Sequence, residues 1–354
     1  ADLALLYRLA EEKGITDLAI AVYPGAYGES TVKREFLKVL MLSASSLDSL
    51  TPVRQQIAER AVAHFAESFV LSAQPHGCAH SFDLEMPLPP ERAVPGVAPA
   101  GLLYFGAGVA LARIDQLVEK IAALNGVPQE FNLGGNYPKD EVIVVLKRLA
   151  QCWSEQAPAR GSQRRPTAAR FTVVPGAVQV FGALAPSTSN NLDFSQNQTA
   201  ESWIVESASD NGYGAIVPAQ KIDWIRIGAL IGMKSESSNY LGIGLIRRIT
   251  RDAHQQRRVG IQVLTKTAIP VTIWKTTTMS SLNFGLVEET AVLLTVKPDA
   301  RGEVDLLLRA GIFRGRDILE MTLKERNYQL VPSSIIEAGE DYYWARFKVT
   351  QRSA

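Results

Sequence analysis

The stretch APARGSQRRPTAARFTVV, residues 157–174, divides the chain. Its first part carries Arg160, Arg164, Arg165 and Arg170 among small and polar residues, with no acid between them. Its last part, Phe171-Thr-Val-Val174, is aromatic and β-branched, the composition of a strand. Before this point the apolar residues recur with a helical period, and after it with the period of strands. Residues 156–170 therefore read as a polar joint between an α-helical domain, 1–155, and a β-rich remainder.

On the helical side, Thr51-Pro52 is a helix opening, with Thr as N-cap and Pro at the first helical position, followed by Ile57, Ala61, Phe65 and Phe69 at every fourth residue. A second helix is expected from about Pro99, with Leu103, Ala107, Ala110, Ile114, Leu117, Ile121 and Leu124 on one stripe and a stop at Asn125-Gly126. A third spans PKDEVIVVLKRLAQCW, 138–153. Beyond the joint, RFTVVPGAVQVFGAL (170–184) is expected to be extended around a Pro-Gly turn, and WIVESASDNGYGAIVP (203–218) reads as strand, turn and strand. YLGIGLIRRIT (240–250) and RRVGIQVLTKTAIPVTIW (257–274) supply more strands, and APSTSNNLDFSQNQTA (185–200) is a polar loop. Strand candidates continue in TAVLLTV, EVDLLLRAG, DILEMTL and YYWARFKVT. The expected fold class is multidomain α + β: an N-terminal α-helical domain (1–155), the joint (156–170), an antiparallel β-barrel (171–274) and a small C-terminal barrel-like β unit (275–354).

Composition bounds the function. An apolar fraction of 46% in 354 residues supports cores for two or three domains. With 37 basic against 36 acidic residues, the whole molecule has no field that would draw it onto nucleic acid or anionic lipid, so an anion site must be a local cluster. Cys78 and Cys152 stand outside any CxxC spacing, which argues against a disulfide framework and for a reducing compartment. The most apolar run, GLLYFGAGVALA at 101–112, is shorter than the ~20 residues of a spanning helix. No membrane span and a cytoplasmic location are expected, with the absent initiator Met read as a trimmed start.

About forty residues after the arginines comes SASDNGYGA, 207–215. Guanidinium groups present paired donors that match phosphate oxygens and the O6/N7 edge of guanine, and they also stack on bases. A Ser hydroxyl on the turn adds hydrogen bonds, and Gly212 removes a side chain that would block approach to the backbone. These residues resemble the PilZ domains that bind cyclic di-GMP. That family's RxxxR pattern is met by Arg160-Gly-Ser-Gln-Arg164, and its [DN]xSxxG pattern by Ser207-Ala-Ser209-Asp-Asn-Gly212, with Ser207 in the place of Asp or Asn. GIGLIRRI and RRVGIQVL are similar to the family's later barrel strands, so the resemblance spans about 160–274. It implies cyclic di-GMP as ligand, held by Arg160, Arg164 and Arg165, with Arg170 as a further contact, and by Ser207, Ser209 and Gly212. It also implies a bacterial pathway of motility, surface attachment, biofilm or polysaccharide export. No metal is expected from the residues, and the joint's place between helical domain and barrel suggests an unidentified protein partner met through the helical domain.

Other constellations carry less. His76, Cys78 and His80 alternate in PHGCAH, three metal-ligand types where a structural zinc site takes four. Asp115 and Glu119 share a helix face as solvated acids do. Arg247, Arg248, Arg251, Arg257 and Arg258 form a second basic region, read either as a charged edge that discourages strand pairing or as a further anion contact. It lacks the interleaved aromatics of a nucleic-acid face, and nucleic acid is not expected among the partners. No nucleophile elbow, HExxH, Walker loop or GxGxxG turn occurs, so an enzyme is not expected. The alternative is a PilZ-like scaffold that binds no nucleotide and acts through protein partners, which Ser207 in place of an acceptor amide or carboxylate favours.

Overall fold

The computed structural model describes residues 2–21, 28–86, 88–94, 101–124, 126–131, 133–156, 164–184, 200–218, 223–252, 255–275, 288–295, 297–313, 317–323 and 326–351. They form two compact units, Ala1–Arg160 and Gly161–Ala354.

The first unit runs α1 (Asp2–Glu12), β1 (Ile20–Ala21), β2 (Glu29–Ser30), α2 (Val32–Ala44), α3 (Pro52–Phe65), β3 (Val70–Ser72), β4 (His80–Asp83), β5 (Glu91–Arg92), β6 (Leu102–Gly106), α4 (Ala110–Ala123) and α5 (Lys139–Trp153). Pro52 opens α3 as expected, although the Thr51 side chain makes no capping hydrogen bond, so the start rests on proline's fixed φ. Ile57, Ala61 and Phe65 are buried in one core with Ile114 and Ile121 of α4 and Val142, Leu146 and Leu149 of α5. Trp153 closes α5 by donating from Nε1 to Ser45 Oγ at 2.9 Å.

This unit is not purely helical, contrary to the expected domain. Four strands form a sheet in the order β3-β6-β4-β5, and β1 pairs with β2. The helix expected from Pro99 begins instead at Ala110, because Leu102–Gly106 is the inner strand β6, paired with β3 and β4. Two glycines explain the change: a Cβ on Gly106 would lie 3.0 Å from the Gly77 carbonyl, and Gly108 takes a φ of +53°, which helical residues do not adopt. A continuous apolar run at 101–112 hides this break, since every residue in it is compatible with either period.

The second unit holds two closed six-stranded antiparallel barrels. The first consists of β7 (Arg165–Pro175), β8 (Glu201–Ser209), β9 (Gly212–Ile216), β10 (Leu230–Ser235), β11 (Gly242–Arg251) and β12 (Arg257–Thr265), in the order β10-β11-β12-β9-β8-β7. Its interior is filled by alternate residues: Phe171 and Val173 on β7, Trp203 and Val205 on β8, Val259 and Ile261 on β12. The second consists of β13 (Ile269–Lys275), β14 (Glu289–Leu293), β15 (Glu303–Arg309), β16 (Leu319–Leu323), β17 (Arg326–Ala338) and β18 (Tyr342–Gln351), in the order β13-β14-β15-β18-β17-β16. The expected boundary at Trp274 is therefore one strand late. Ile269–Lys275 pairs with β14 and β16, and Trp274 itself pairs with Glu320, so that strand belongs to the second barrel.

Gly176–Leu184 is a helix, α6, where the sequence reading expected continued strand. Gly176 turns the chain at φ +73°, and Asp341 Oδ2 accepts from the Ala177 N–H at 2.7 Å as the helix cap. Ala177, Val180, Phe181 and Leu184 then pack with Leu245 of the first barrel and Val292, Leu307 and Tyr342 of the second. These four residues form one helical stripe, but the exposed face carries Val178 and Gly182 instead of charged residues, so the sequence shows no polar face to mark the helix. Strands β10 and β17 were also unanticipated: β10 is interrupted by Gly232, which admits Val180 of α6, and the 13-residue β17 contains Pro332 and is mostly exposed.

Candidate ligand-binding site

The arginines and the Ser/Gly turn meet because β7 and β8 are neighbours. Arg165 lies opposite Ala208 and Pro166 opposite Ser207, while Ser207 lies opposite Gly214 and Ser209 opposite Gly212. Residues directly opposite share a face. Trp203 and Val205 point into the barrel, and uninterrupted alternation would carry Ser207 and Ser209 inward as well. A bulge between Val205 and Ser207 inserts one residue and reverses the phase. Ala208 now pairs with half-buried Tyr213 on the interior side, and Ser207, Ser209, Gly212 and Gly214 occupy the outer face.

Arg164 reaches the same face. A Cβ on Gly214 would lie 2.6 Å from Ser207 Oγ and 3.3 Å from Arg164 Nη1, so guanidinium and hydroxyl flank one patch of bare backbone. A matching shift in β7 between Pro166 and Ala169 makes this possible, since Ala169 and Phe171 pack toward the interior. Arg165, opposite Ala208, is exposed at the start of β7, and further into the barrel the rings of Phe171 and Tyr213 meet edge-on at 5.0 Å. Burial pushes the Tyr213 hydroxyl above its ordinary pKa and keeps it a neutral donor.

The other expected contacts divide. Arg160 lies outside the described residues. Arg170 is exposed on the outer face in a different row, with Ile204, Ile216 and Arg258, and approaches Glu236 at 3.8 Å. Ser209 donates to the Gly212 carbonyl at 3.2 Å and so tightens the turn. Gly212 has a packing reason of its own: a Cβ there would meet the Ile261 carbonyl oxygen at 2.7 Å. The glycine beside the arginine is Gly214. Nothing in the local sequence marks Gly214 out from Gly212; only the strand register, which sets Gly214 against Ser207, distinguishes the two.

The second basic region disperses. Arg247 donates from Nη1 and Nη2 to Glu337 at 2.8 and 2.6 Å and from Nε to Gln262 at 2.7 Å, which ties the two barrels together. Tyr342 donates to the same Glu337 at 2.9 Å, and burial, then that carboxylate's charge, raises its pKa. Arg258 pairs with Glu206 at 3.0 Å and Asp252 at 3.4 Å. In the first unit, His80 is buried on β4 and stacked on Phe105 at 5.4 Å, with no hydrogen bond to Nδ1. Burial, and then the charge of Arg92, lower its pKa to about 4. Among the described residues no group of three or more His, Cys, Asp or Glu side chains is placed to hold a metal ion, and no helix is long and apolar enough to cross a membrane.

Fold and site define a protein with a helix-and-sheet N-terminal unit followed by paired antiparallel barrels, the first bearing a guanidinium and a hydroxyl over a glycine on its outer face. Residues 1–76 match the family model of the N-terminal domain of the cyclic-di-GMP receptor FimW. No curated protein matches the chain. Among solved structures, the chain is similar to "MrkH, A novel c-di-GMP dependence transcription regulatory factor", at 10% identity over 55% of this chain and 88% of that one, with a TM-score of 0.19. A MrkH–c-di-GMP complex from K. pneumonia matches at 11% identity over 52% of this chain and 80% of that one, with a TM-score of 0.18. The family match rests on the first unit, before the barrels begin.

Proposed function

We propose that this protein is a cyclic-di-GMP receptor whose first barrel is PilZ-like and whose ligand lies on the outer face around Gly214. The observation that carries this reading is the meeting of Arg164 and Ser207 over a glycine, two segments forty residues apart brought to one surface. The likeness of residues 1–76 to a receptor of the same ligand supports it independently, since those residues contain none of the site. Arg164 and Arg165 clamp phosphate and guanine edges, Ser207 and Ser209 add hydroxyl contacts, and Arg160 extends the clamp from the preceding segment. The role is non-catalytic and cytoplasmic. Ligand binding biases the protein only as far as it prefers one arrangement, and the signal passes to a protein partner of the N-terminal unit. Leu5, Leu6 and Leu9 of α1, 50, 61 and 45% exposed, suit such a partner.

Calorimetric titration with cyclic di-GMP, beside GTP and cyclic di-AMP, tests this on the wild type and on the Arg164→Ala/Arg165→Ala variant. Saturable binding of cyclic di-GMP alone, lost in the variant, is the expected result. Silence of a folded wild type at tens of micromolar ligand favours the second reading, a scaffold without nucleotide, for which Ser207 in the acceptor position is the specific observation.

A further inference from the structure

The glycine patch extends beyond the motif. Gly214 lies opposite Ser207 on one side and opposite Gly260 of β12 on the other, and Gly260 in turn lies opposite Arg248 of β11. Ser207, Gly214, Gly260 and Arg248 thus form one row across four adjacent strands, all on the outer face, since the alternate residues Ala215, Val259 and Ile249 pack into the barrel. Three steps of ~4.8 Å between strands set the ends of the row about 14 Å apart. Between those ends the floor carries no side chains. A Cβ on Gly260 would lie 3.0 Å from Arg248 Cβ, so the stem of Arg248 rises beside this glycine as Arg164 Nη1 stands beside the other. A register shift between Ile246 and Arg248 turns Arg247 out of this row and keeps Arg248 in it, while Arg258 belongs to the adjacent row. Arg248 itself is exposed.

We infer that Arg248 forms the second wall of the ligand site and that its guanidinium donates to a phosphodiester of a cyclic dinucleotide seated on the Gly214/Gly260 floor, facing Arg164 across it. This rests on the receptor reading above and adds a contact outside the 160–164 and 207–212 motifs, supplied by a strand some forty residues beyond them. A flat floor walled by two guanidiniums fits a ligand with planar bases and two separated phosphates better than a linear triphosphate, which needs a closed cradle of backbone donors.

The test is titration of the full chain with cyclic di-GMP, comparing wild type, Arg164→Ala, Arg248→Ala, Arg248→Lys, and Lys348→Ala as an equal charge loss on the second barrel. Loss of one charge-assisted hydrogen bond predicts at least a roughly tenfold weaker affinity for Arg248→Ala, partial recovery in Arg248→Lys, and no change for Lys348→Ala. Thermal melting of every variant within a few degrees of wild type confirms that the fold is kept. Wild-type affinity in Arg248→Ala, alongside loss in Arg164→Ala, overturns this inference and leaves the receptor reading standing. An equal loss in Lys348→Ala overturns it as well, because the effect would then be one of net charge. A folded wild type that does not bind removes both.

Discussion

Two glycines, Gly212 and Gly214, stand two residues apart on one strand, yet the same change to alanine should have opposite consequences. At Gly214 the new methyl meets Ser207 Oγ at 2.6 Å and Arg164 Nη1 at 3.3 Å, both ends of side chains that can turn away. Moving Ser207 off its rotamer costs about 0.5–1.5 kcal/mol. Alanine in a strand regains roughly 0.5–1 kcal/mol over glycine through reduced chain entropy, so stability changes by less than about 1 kcal/mol. The methyl nevertheless fills the floor and displaces the two groups that flank it. Losing one charge-assisted hydrogen bond, ~1.5–3 kcal/mol, weakens cyclic di-GMP binding by about tenfold to a hundredfold. At Gly212 the obstacle is the Ile261 carbonyl oxygen, 2.7 Å from the new methyl and fixed in the sheet, so β9 and β12 must separate locally at a cost of about 1–3 kcal/mol. Urea denaturation of the two variants, paired with calorimetric titration, reads both quantities. A Gly214→Ala protein that binds normally, or a Gly212→Ala protein as stable as wild type, would refute this division of labour.

Two further outcomes follow from particular contacts. The imidazole of His80 stays neutral in the fold down to about pH 4, whereas in the unfolded chain it takes a proton near pH 6.5. Stability should therefore decline as pH falls from about 6.5 to 4, by up to roughly 3 kcal/mol, because the unfolded state alone gains the proton. His80→Phe, which keeps the stack on Phe105 and deletes the unpaired nitrogen, should flatten melting temperature against pH over that window, and an unchanged slope would reject the assignment. Glu337→Gln should destabilise the second unit by about 1–2 kcal/mol through loss of the paired contact from Arg247 and of the carboxylate held by Tyr342, while leaving ligand affinity within twofold. A large affinity loss with no change in stability would assign Arg247 to the ligand instead.

Much of this organisation was legible in the chain. The change of period at 157–174 located the passage from the helix-bearing unit to the barrels, because α5 and β7 present different apolar repeats. Thr51-Pro52 opened α3, and the Ser/Asp/Asn/Gly run marked the β8–β9 hairpin, because caps and turns are decided by local backbone chemistry. Strand β6 inside an apolar run and α6 with its apolar exposed face were not legible, since a stretch without polar residues gives periodicity no phase.

The site divides the same way. Sequence alone placed a cluster of arginines beside a strand and small hydrogen-bonding residues on a turn, since residue type and local spacing suffice for that. Which of them face one another depended on registers and bulges between strands distant in sequence: the extra residue before Ser207 turns it outward, and the row through Gly214 and Gly260 to Arg248 exists only once β8, β9, β12 and β11 lie side by side. A one-residue shift in a strand exchanges its faces, and that shift is fixed by packing of the whole barrel around Trp203, Val205 and Ile261 rather than by any local run of residues.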